Sequence, residues 1–264
     1  MLGLPDHIRA CLFDLDGVLT RTAAVHAAAW KEMFDDFLEN WASRSGDPFV
    51  PFDIDTDYPE QVDGRPRADG VRTFLDSRGI HIPVGAPGDP PSAMTVNALA
   101  TRKNILLQRK IDEDGVEVFA GSVRYLEELD RAGVPRAVVS SSANCAQVLR
   151  AAGIEHFLPV RVDGQTALEQ GLAGKPAPDT FLAGAAALDV PASAAAVFED
   201  AVAGVQAGRA GGFGCVVGVD RIGHAEALRH NGADIVVTDL AELLGGQLSS
   251  PSGPSGTVTA GRAV

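Results

Sequence analysis

Residues 8–20 read IRACLFDLDGVLT, and this stretch decides the fold. The apolar run at 8–15 has the length and composition of a strand buried on both faces, as strands of a parallel sheet are. It ends in two carboxylates, Asp14 and Asp16, two residues apart and followed at once by a turn at Gly17. The carboxyl end of a parallel strand is where ligands bind. Asp14 would be held rigidly by the strand, while Asp16, on the turn, can direct a second carboxyl into the same space. A divalent cation would relieve their repulsion. For this motif alone, a strand followed by a plain Asp-Gly turn is the alternative.

Outward from this stretch, short apolar runs recur at 136–140, 158–162, 195–198 and 215–219, and 235–237 reads as an edge strand. Helical spacing lies between them, in Val123, Leu126 and Leu129, in Ala146, Leu149 and Ala152, and in Phe181, Ala185 and Leu188; 201–210 is helical despite two glycines. Strands alternating with helices predict an α/β fold, a doubly wound parallel sheet with right-handed crossovers. The interval from 20 to 115 breaks the alternation. Val25, Ala29, Met33 and Phe37 repeat at i, i+4, two more helical stretches lie near 68–78 and 92–111, and the Pro- and Asp-rich segment 43–59 reads as an irregular loop. This predicts a helical cap over 21–114, inserted into a core made of 1–20 and 115–245. Residues 246–264, rich in Gly, Ser and Pro without periodicity, read as a disordered tail.

Two later strands end in residues suited to the same chemistry, and a loop between them adds another. Ser140 closes the run VVSSSAN, where a hydroxyl can hold a phosphoryl oxygen; a helix N-cap, by Ser140 or Ser142, is the other use of such a residue. Lys175 lies in GKPAPD, stiffened by the following proline, and is either a cation for a transferring phosphoryl group or a solvated loop lysine. Glu199 and Asp200 close VFEDAVAG, and suit either a Mg2+ ion or the start of the next helix. Together, in this order, they surround one phosphoryl group with a nucleophile, a hydroxyl, a cation and a metal.

The bulk composition fits a small anionic substrate. The chain has 264 residues and a formal net charge of −13, which argues against a nucleic-acid partner. Cys11, Cys145 and Cys215 are far apart and in no metal-ligand spacing, so reduced thiols are expected. A polar N-terminus and the lack of any apolar run near ~20 residues give the expectation of a cytosolic protein that engages no membrane, and a monomer is expected because nothing resembles an oligomerisation segment.

The combined motifs resemble the haloacid dehalogenase superfamily of aspartyl-phosphate enzymes over about residues 8–244. The resemblance implies Asp14 as nucleophile and Asp16 as general acid/base, with Ser140 and Lys175 binding the phosphoryl group. It implies Mg2+ held by Asp14, the backbone carbonyl of Asp16, Glu199 and Asp200. A closer resemblance is to the β-phosphoglucomutase family, carried by DLDGVLTRTAAVHAAAWK at 14–31, DGRPR at 63–67, ALATRKN at 98–104 and SSSAN at 140–144. By that likeness Thr22 and His26 contact Asp16 and couple its position to cap closure, and Trp30 and Gly64 belong to the substrate site. Arg67 grips the phosphate that is not transferred, Lys103 lines the sugar pocket, and Ser142 and Asn144 help from the core. Without the likeness, His26 reads as an ordinary surface or core histidine, Trp30 as packing and Arg67 as a loop arginine. The implied reaction interconverts β-glucose 1-phosphate and glucose 6-phosphate, with glucose 1,6-bisphosphate as the activating intermediate. A phosphatase of the same superfamily shares every core residue and is the alternative; a non-catalytic binding protein is a remote third reading. The chain departs from the family at Ala143 and Asp63, where a lysine is usual, and Arg65 or Arg102 is the candidate substitute.

Overall fold

The computed structural model describes residues 2–245, so the tail expected at 246–264 lies outside them. In chain order the elements are β1 (Ala10–Phe13), α1 (Thr22–Ser45), α2 (Arg67–Ser77), α3 (Val96–Asp114), α4 (Ala120–Arg131), β2 (Arg136–Val139), α5 (Cys145–Ala151) and β3 (Val160–Val162). There follow α6 (Gly164–Gln170), α7 (Asp179–Ala187), β4 (Ala195–Glu199), α8 (Val202–Ala210), β5 (Cys215–Val219), α9 (Ala225–His230) and β6 (Ile235–Val237). The six strands form one sheet in the order β3-β2-β1-β4-β5-β6, every pair parallel.

Alternation along β1 sorts its side chains onto two faces. Cys11 and Phe13 join a cluster with Tyr125, Leu126 and Leu129 of α4, while Ala10 and Leu12 join another with Phe181 and Ala185 of α7 and Val205 of α8. Every residue of β1, β2, β4 and β5 is buried, which is why these strands read as unbroken apolar runs. The edge strands β3 and β6 are three residues each and partly exposed, a length that limits edge-to-edge pairing. β1 is shorter than the run 8–15 because its neighbours first register with it at Ala10 and Cys11. Leu158 lies outside β3 because a single 3-10 turn at Glu155–Phe157 delivers the chain there. All three cysteines are free and buried, and no described helix is long and apolar enough to cross a membrane.

After β1 the chain builds β2 and β3 on one side and β4 to β6 on the other. The carboxyl ends of β1 and β4 therefore border the switch point where open α/β sheets bind ligands. Above this point sit α1, α2 and α3, an inserted helical cap with its own core of Trp30, Met33, Phe34, Phe37, Phe74 and Leu99. Phe34 stacks on Trp30 and Phe52 with ring centres 5.3 Å and 5.2 Å away, and meets Phe74 tilted at 4.1 Å.

The segment 43–59 is more ordered than its composition suggests. α1 continues to Ser45 and ends at Gly46 in the left-handed region, and a single π-turn occupies Tyr58–Val62. Between them Phe52 is fully buried in the cap core. Its amide donates to Asp35 at 2.7 Å and its carbonyl accepts from Lys31 at 2.8 Å, so two side chains of α1 anchor the loop.

Candidate active site

The ladder places the first carboxylate. The Asp14 amide donates to Phe198 O at 2.9 Å, continuing the β1–β4 pairing by one residue. This sets Asp14 beside Glu199 and Asp200 at the end of β4. Gly17 then turns the chain at φ +87°, and a Cβ there would fall 1.7 Å from an Asp200 carboxylate oxygen, so the motif requires glycine. Gly204 is constrained in the same way by Glu199, where a Cβ would lie 1.7 Å from Oε1.

Lys175, on the loop between α6 and α7, is 2% exposed. Its Nζ donates to Asp14 Oδ1 at 2.5 Å, Glu199 Oε1 at 2.6 Å and Val139 O at 3.1 Å. All three ammonium protons are therefore used. Burial alone would lower its pKa, but Asp14 and Glu199 outweigh that and hold it above the ordinary range. Burial raises Asp14 to about 6 and Glu199 to about 7 against the opposing pull of Lys175.

Asp14, Glu199 and Asp200 are all buried, and each offers an oxygen within 4.8 Å of the others. Lys175 and the Ala201 amide occupy the two oxygens of Glu199. Among the described residues nothing donates to the Asp200 carboxylate, and burial followed by Asp63, Glu199, Asp14 and Asp16 pushes it well above the usual carboxylate range. Hard carboxylate donors crowded without a matching charge fit a divalent cation such as Mg2+.

Asp16 turns away from this trio toward the cap. Thr22, the first residue of α1, donates its hydroxyl to Asp16 Oδ1, and His26 Nε2 lies 3.5 Å from the same oxygen. Ser140 Oγ donates weakly to Oδ2 at 3.5 Å. Burial raises the Asp16 pKa, opposed by Thr22 and Lys103. Lys103 of α3 is fully buried, 3.0 Å from His26 Nδ1 and 5.1 Å from the Trp30 ring. Burial and Arg67 lower Lys103 to about 7, and burial, Lys103 and Arg67 hold His26 well below its ordinary value. A neutral His26 that accepts from Lys103 keeps its proton on Nε2, which faces Asp16 without a hydrogen-bond partner among the described residues.

Asp14, Asp16, His26, Trp30, Gly64, Arg67, Lys103, Ser140, Ser142 and Asp200 line one cavity between core and cap. Arg67 carries a buried Nη1 with no partner among the described residues. Lys175, Glu199 and Thr22 stand behind the lining, bonded to Asp14, Ala201 and Asp16, which face it. Asn144 is elsewhere: its Nδ2 donates to Asn104 at 2.8 Å and its Oδ1 accepts from Gln108 at 3.2 Å, which ties α5 to the cap. Ser142 is no helix N-cap; its Oγ accepts from the Asn144 amide at 3.2 Å, one residue before α5 begins. Of the two candidate substitutes for the missing lysines, Arg65 lines the cavity, whereas Arg102 pairs with Asp36 at 3.3 Å outside it.

Sequence reasoning missed Tyr58 and Ser141 and treated Asp63 only as a departure; all three line the cavity. Ser141 Oγ donates to Gly64 O at 2.7 Å, a direct tie between core and cap. Burial raises Asp63 to about 7, with Tyr58 opposing. The run of three serines at 140–142 was the available signal for Ser141. Nothing in the π-turn sequence marks Tyr58.

Comparison with known proteins gives the family. The model of the haloacid dehalogenase-like hydrolase family matches residues 8–212. β-Phosphoglucomutases of Mycobacterium bovis and Mycobacterium tuberculosis are 57% identical over 247 residues, covering 92% of this chain and 94% of theirs. That of Bacillus subtilis is 31% identical over 240 residues, covering 89% and 92%. The crystal structure of a Clostridium difficile β-phosphoglucomutase superposes with a TM-score of 0.70 at 26% identity, covering 89% of this chain and 93% of that one. The chain belongs to the haloacid dehalogenase-like hydrolase family and, within it, to the β-phosphoglucomutases.

Proposed function

We propose that this phosphoryl-transfer enzyme interconverts β-glucose 1-phosphate and glucose 6-phosphate through phospho-Asp14 and glucose 1,6-bisphosphate. One observation carries the reading: Asp16 accepts a hydrogen bond from Thr22, the first residue of the first cap helix, and faces His26 of the same helix at 3.5 Å. The acid/base is thus aligned by the element that must close over the site. A base aligned only under a closed cap favours attack by an enclosed sugar hydroxyl over attack by bulk water.

In the first half-reaction a carboxylate oxygen of Asp14 attacks the phosphorus of the bisphosphate. The bond to the sugar oxygen breaks, and Asp16 gives that oxygen its proton. In the second, Asp16 takes the proton from the opposite hydroxyl of a sugar monophosphate, whose oxygen attacks phospho-Asp14 and frees the carboxylate. Lys175 and Ser140 hold phosphoryl oxygens from the core, and Arg67 and Lys103 supply cations to the distal phosphate and the sugar from the cap. Asp14, Glu199, Asp200 and the backbone carbonyl of Asp16 would hold Mg2+, which when bound supplies positive charge beside the phosphoryl oxygens. The cavity holds about 40 Å³ in this closed form, room for water but not for a hexose phosphate, so the cap lifts to admit substrate.

A phosphatase on the same scaffold is the second reading, favoured by Asp63 and Ala143 where the family carries cations. A trehalose-phosphate phosphatase of Mycobacterium leprae is 40% identical over 129 residues, 47% of this chain and 28% of that protein. The test supplies purified enzyme with β-glucose 1-phosphate, Mg2+ and trace glucose 1,6-bisphosphate. Glucose 6-phosphate without stoichiometric inorganic phosphate supports the mutase, and phosphate release from many monoesters overturns it.

A further inference from the structure

Arg221 belongs to no motif read above and does not line the catalytic cavity. It follows β5 by two residues, and its guanidinium reaches the turn that carries Asp16. Nε donates to Gly17 O at 2.8 Å and Nη2 to Val18 O at 3.3 Å, while Nη1 donates to Thr238 O at 2.6 Å, just past β6. One planar group thus ties the Asp16 turn to the far edge of the sheet. The other backbone ties of that turn are local or come from Ser122, whose Oγ donates to Val18 O at 2.7 Å, and from Phe119, whose amide donates to Leu19 O at 3.0 Å.

The same guanidinium lies 3.5 Å over the ring of Phe119, and Arg21 lies 4.5 Å over that ring as well. Phe119 is on the linker returning from the cap and Arg21 on the linker entering it. The two linkers pair through Phe119 N to Leu19 O at 3.0 Å and Arg21 N to Glu117 O at 2.8 Å. Arg221 therefore fastens the base of both linkers as well as the turn. The Asp200 carboxylate fills the space beside Gly17, where a Cβ would fall 1.7 Å from one of its oxygens. A shift of the turn's backbone would displace Asp16 and press on Asp200.

We propose that Arg221 is a positioning residue, which holds the Asp16 turn and the roots of the cap linkers in the geometry that proton transfer by Asp16 requires. This rests on Asp16 as the general acid/base. Arg221 acts through backbone carbonyls, so a lysine, without the planar fork and the stacking face, replaces it only in part.

The test compares two phosphoryl donors in Arg221→Gln and Arg221→Lys, reading formation of the phosphoenzyme before steady state. Transfer from glucose 1,6-bisphosphate to Asp14 expels a sugar-monophosphate alkoxide that needs the Asp16 proton, whereas transfer from acetyl phosphate expels acetate, which needs none. Arg221→Gln is expected to slow the first about 10- to 100-fold, the scale of a misplaced acid, and the second by less than about threefold. Arg221→Lys is expected to fall between Arg221→Gln and wild type with the bisphosphate. Equal slowing with both donors marks a general scaffold defect and overturns the proposal, as does full rate with both. If Arg221→Gln fails to fold, Arg221→Lys carries the same comparison. Wild-type phosphorylation by acetyl phosphate but not by glucose 1,6-bisphosphate contradicts the sugar reading alone, and the comparison is then run with a sugar phosphate that wild type accepts.

Discussion

Replacing Lys175 with methionine removes the cation on which the buried acidic cluster depends. The ammonium is bonded to Asp14 at 2.5 Å, Glu199 at 2.6 Å and Val139 O at 3.1 Å, with almost no solvent access. Methionine is one atom shorter but keeps most of the apolar stem beside Phe181, whose ring centre lies 4.7 Å from Nζ, so the loss is mainly electrostatic. Breaking a buried pair from one side costs about 3–5 kcal/mol, since the remaining charge stays buried and unmatched. For a chain of this size that is a fall in Tm of about 6–20 °C. The pH dependence identifies the cause. Asp14 and Glu199 have folded pKa values raised to about 6 and about 7, above their unfolded values near 3.8 and 4.5. The cost of ionising them in the fold is absent below their unfolded pKa values and grows as pH rises through the folded ones. Without Lys175 they shift higher still, so the variant's deficit is expected to be large at pH 8 and much smaller at pH 5.5. Chemical denaturation of metal-free wild type and Lys175→Met at both pH values measures this. A deficit below about 1 kcal/mol at pH 8, the scale of an exposed ion pair, or an equal deficit at the two pH values, refutes the reasoning.

Three further outcomes are expected. Mg2+ at about 100 times its Kd stabilises wild type by about 2.7 kcal/mol at pH 8 and by clearly less at pH 5.5, where the carboxylates hold protons; thermal shift reads this, and Asp200→Asn removes it. Thr22→Val takes away the hydroxyl that donates to Asp16, so kcat falls about 10- to 100-fold with KM nearly unchanged, and Thr22→Ser restores most of the rate in steady-state kinetics. Phe34→Ala, at the centre of the cap's aromatic stack, costs about 3–5 kcal/mol, and hydrogen exchange is expected to show the loss in α1 to α3 rather than in the sheet.

The sheet was legible because its strands are buried on both faces, so runs such as 136–140 and 215–219 stand out without reference to neighbours. Asp14, Ser140, Glu199 and Asp200 were legible for the same reason, since each ends such a run and the carboxyl ends of parallel strands converge. The short helices α6 and α9, of seven and six residues, were not read, whereas α5, also of seven, was. Neighbouring residues with unlike fates were not separable either. Arg102 and Lys103 are adjacent cations, yet one pairs with exposed Asp36 and the other is fully buried beside His26, because about 100° of helix rotation divides them. Phe52 was hidden in a polar stretch, and its burial depends on Lys31 and Asp35 bracketing its backbone. Asn144 was expected at the substrate, but the cap residues Asn104 and Gln108 take its amide. Arg221 had no local signal, because its partners at Gly17, Phe119 and Thr238 come from three distant parts of the chain.

The most direct measurement follows the phosphoryl group on Asp14. Enzyme labelled from radioactive glucose 1,6-bisphosphate is chased with β-glucose 1-phosphate or with buffer alone, and the label is separated by quench. The label is expected to pass to sugar bisphosphate far faster than it appears as inorganic phosphate in buffer, and Asp14→Asn is expected to take up none. Release as inorganic phosphate at one rate, with or without the sugar, or labelling of Asp14→Asn, contradicts a sugar-directed aspartyl-phosphate enzyme.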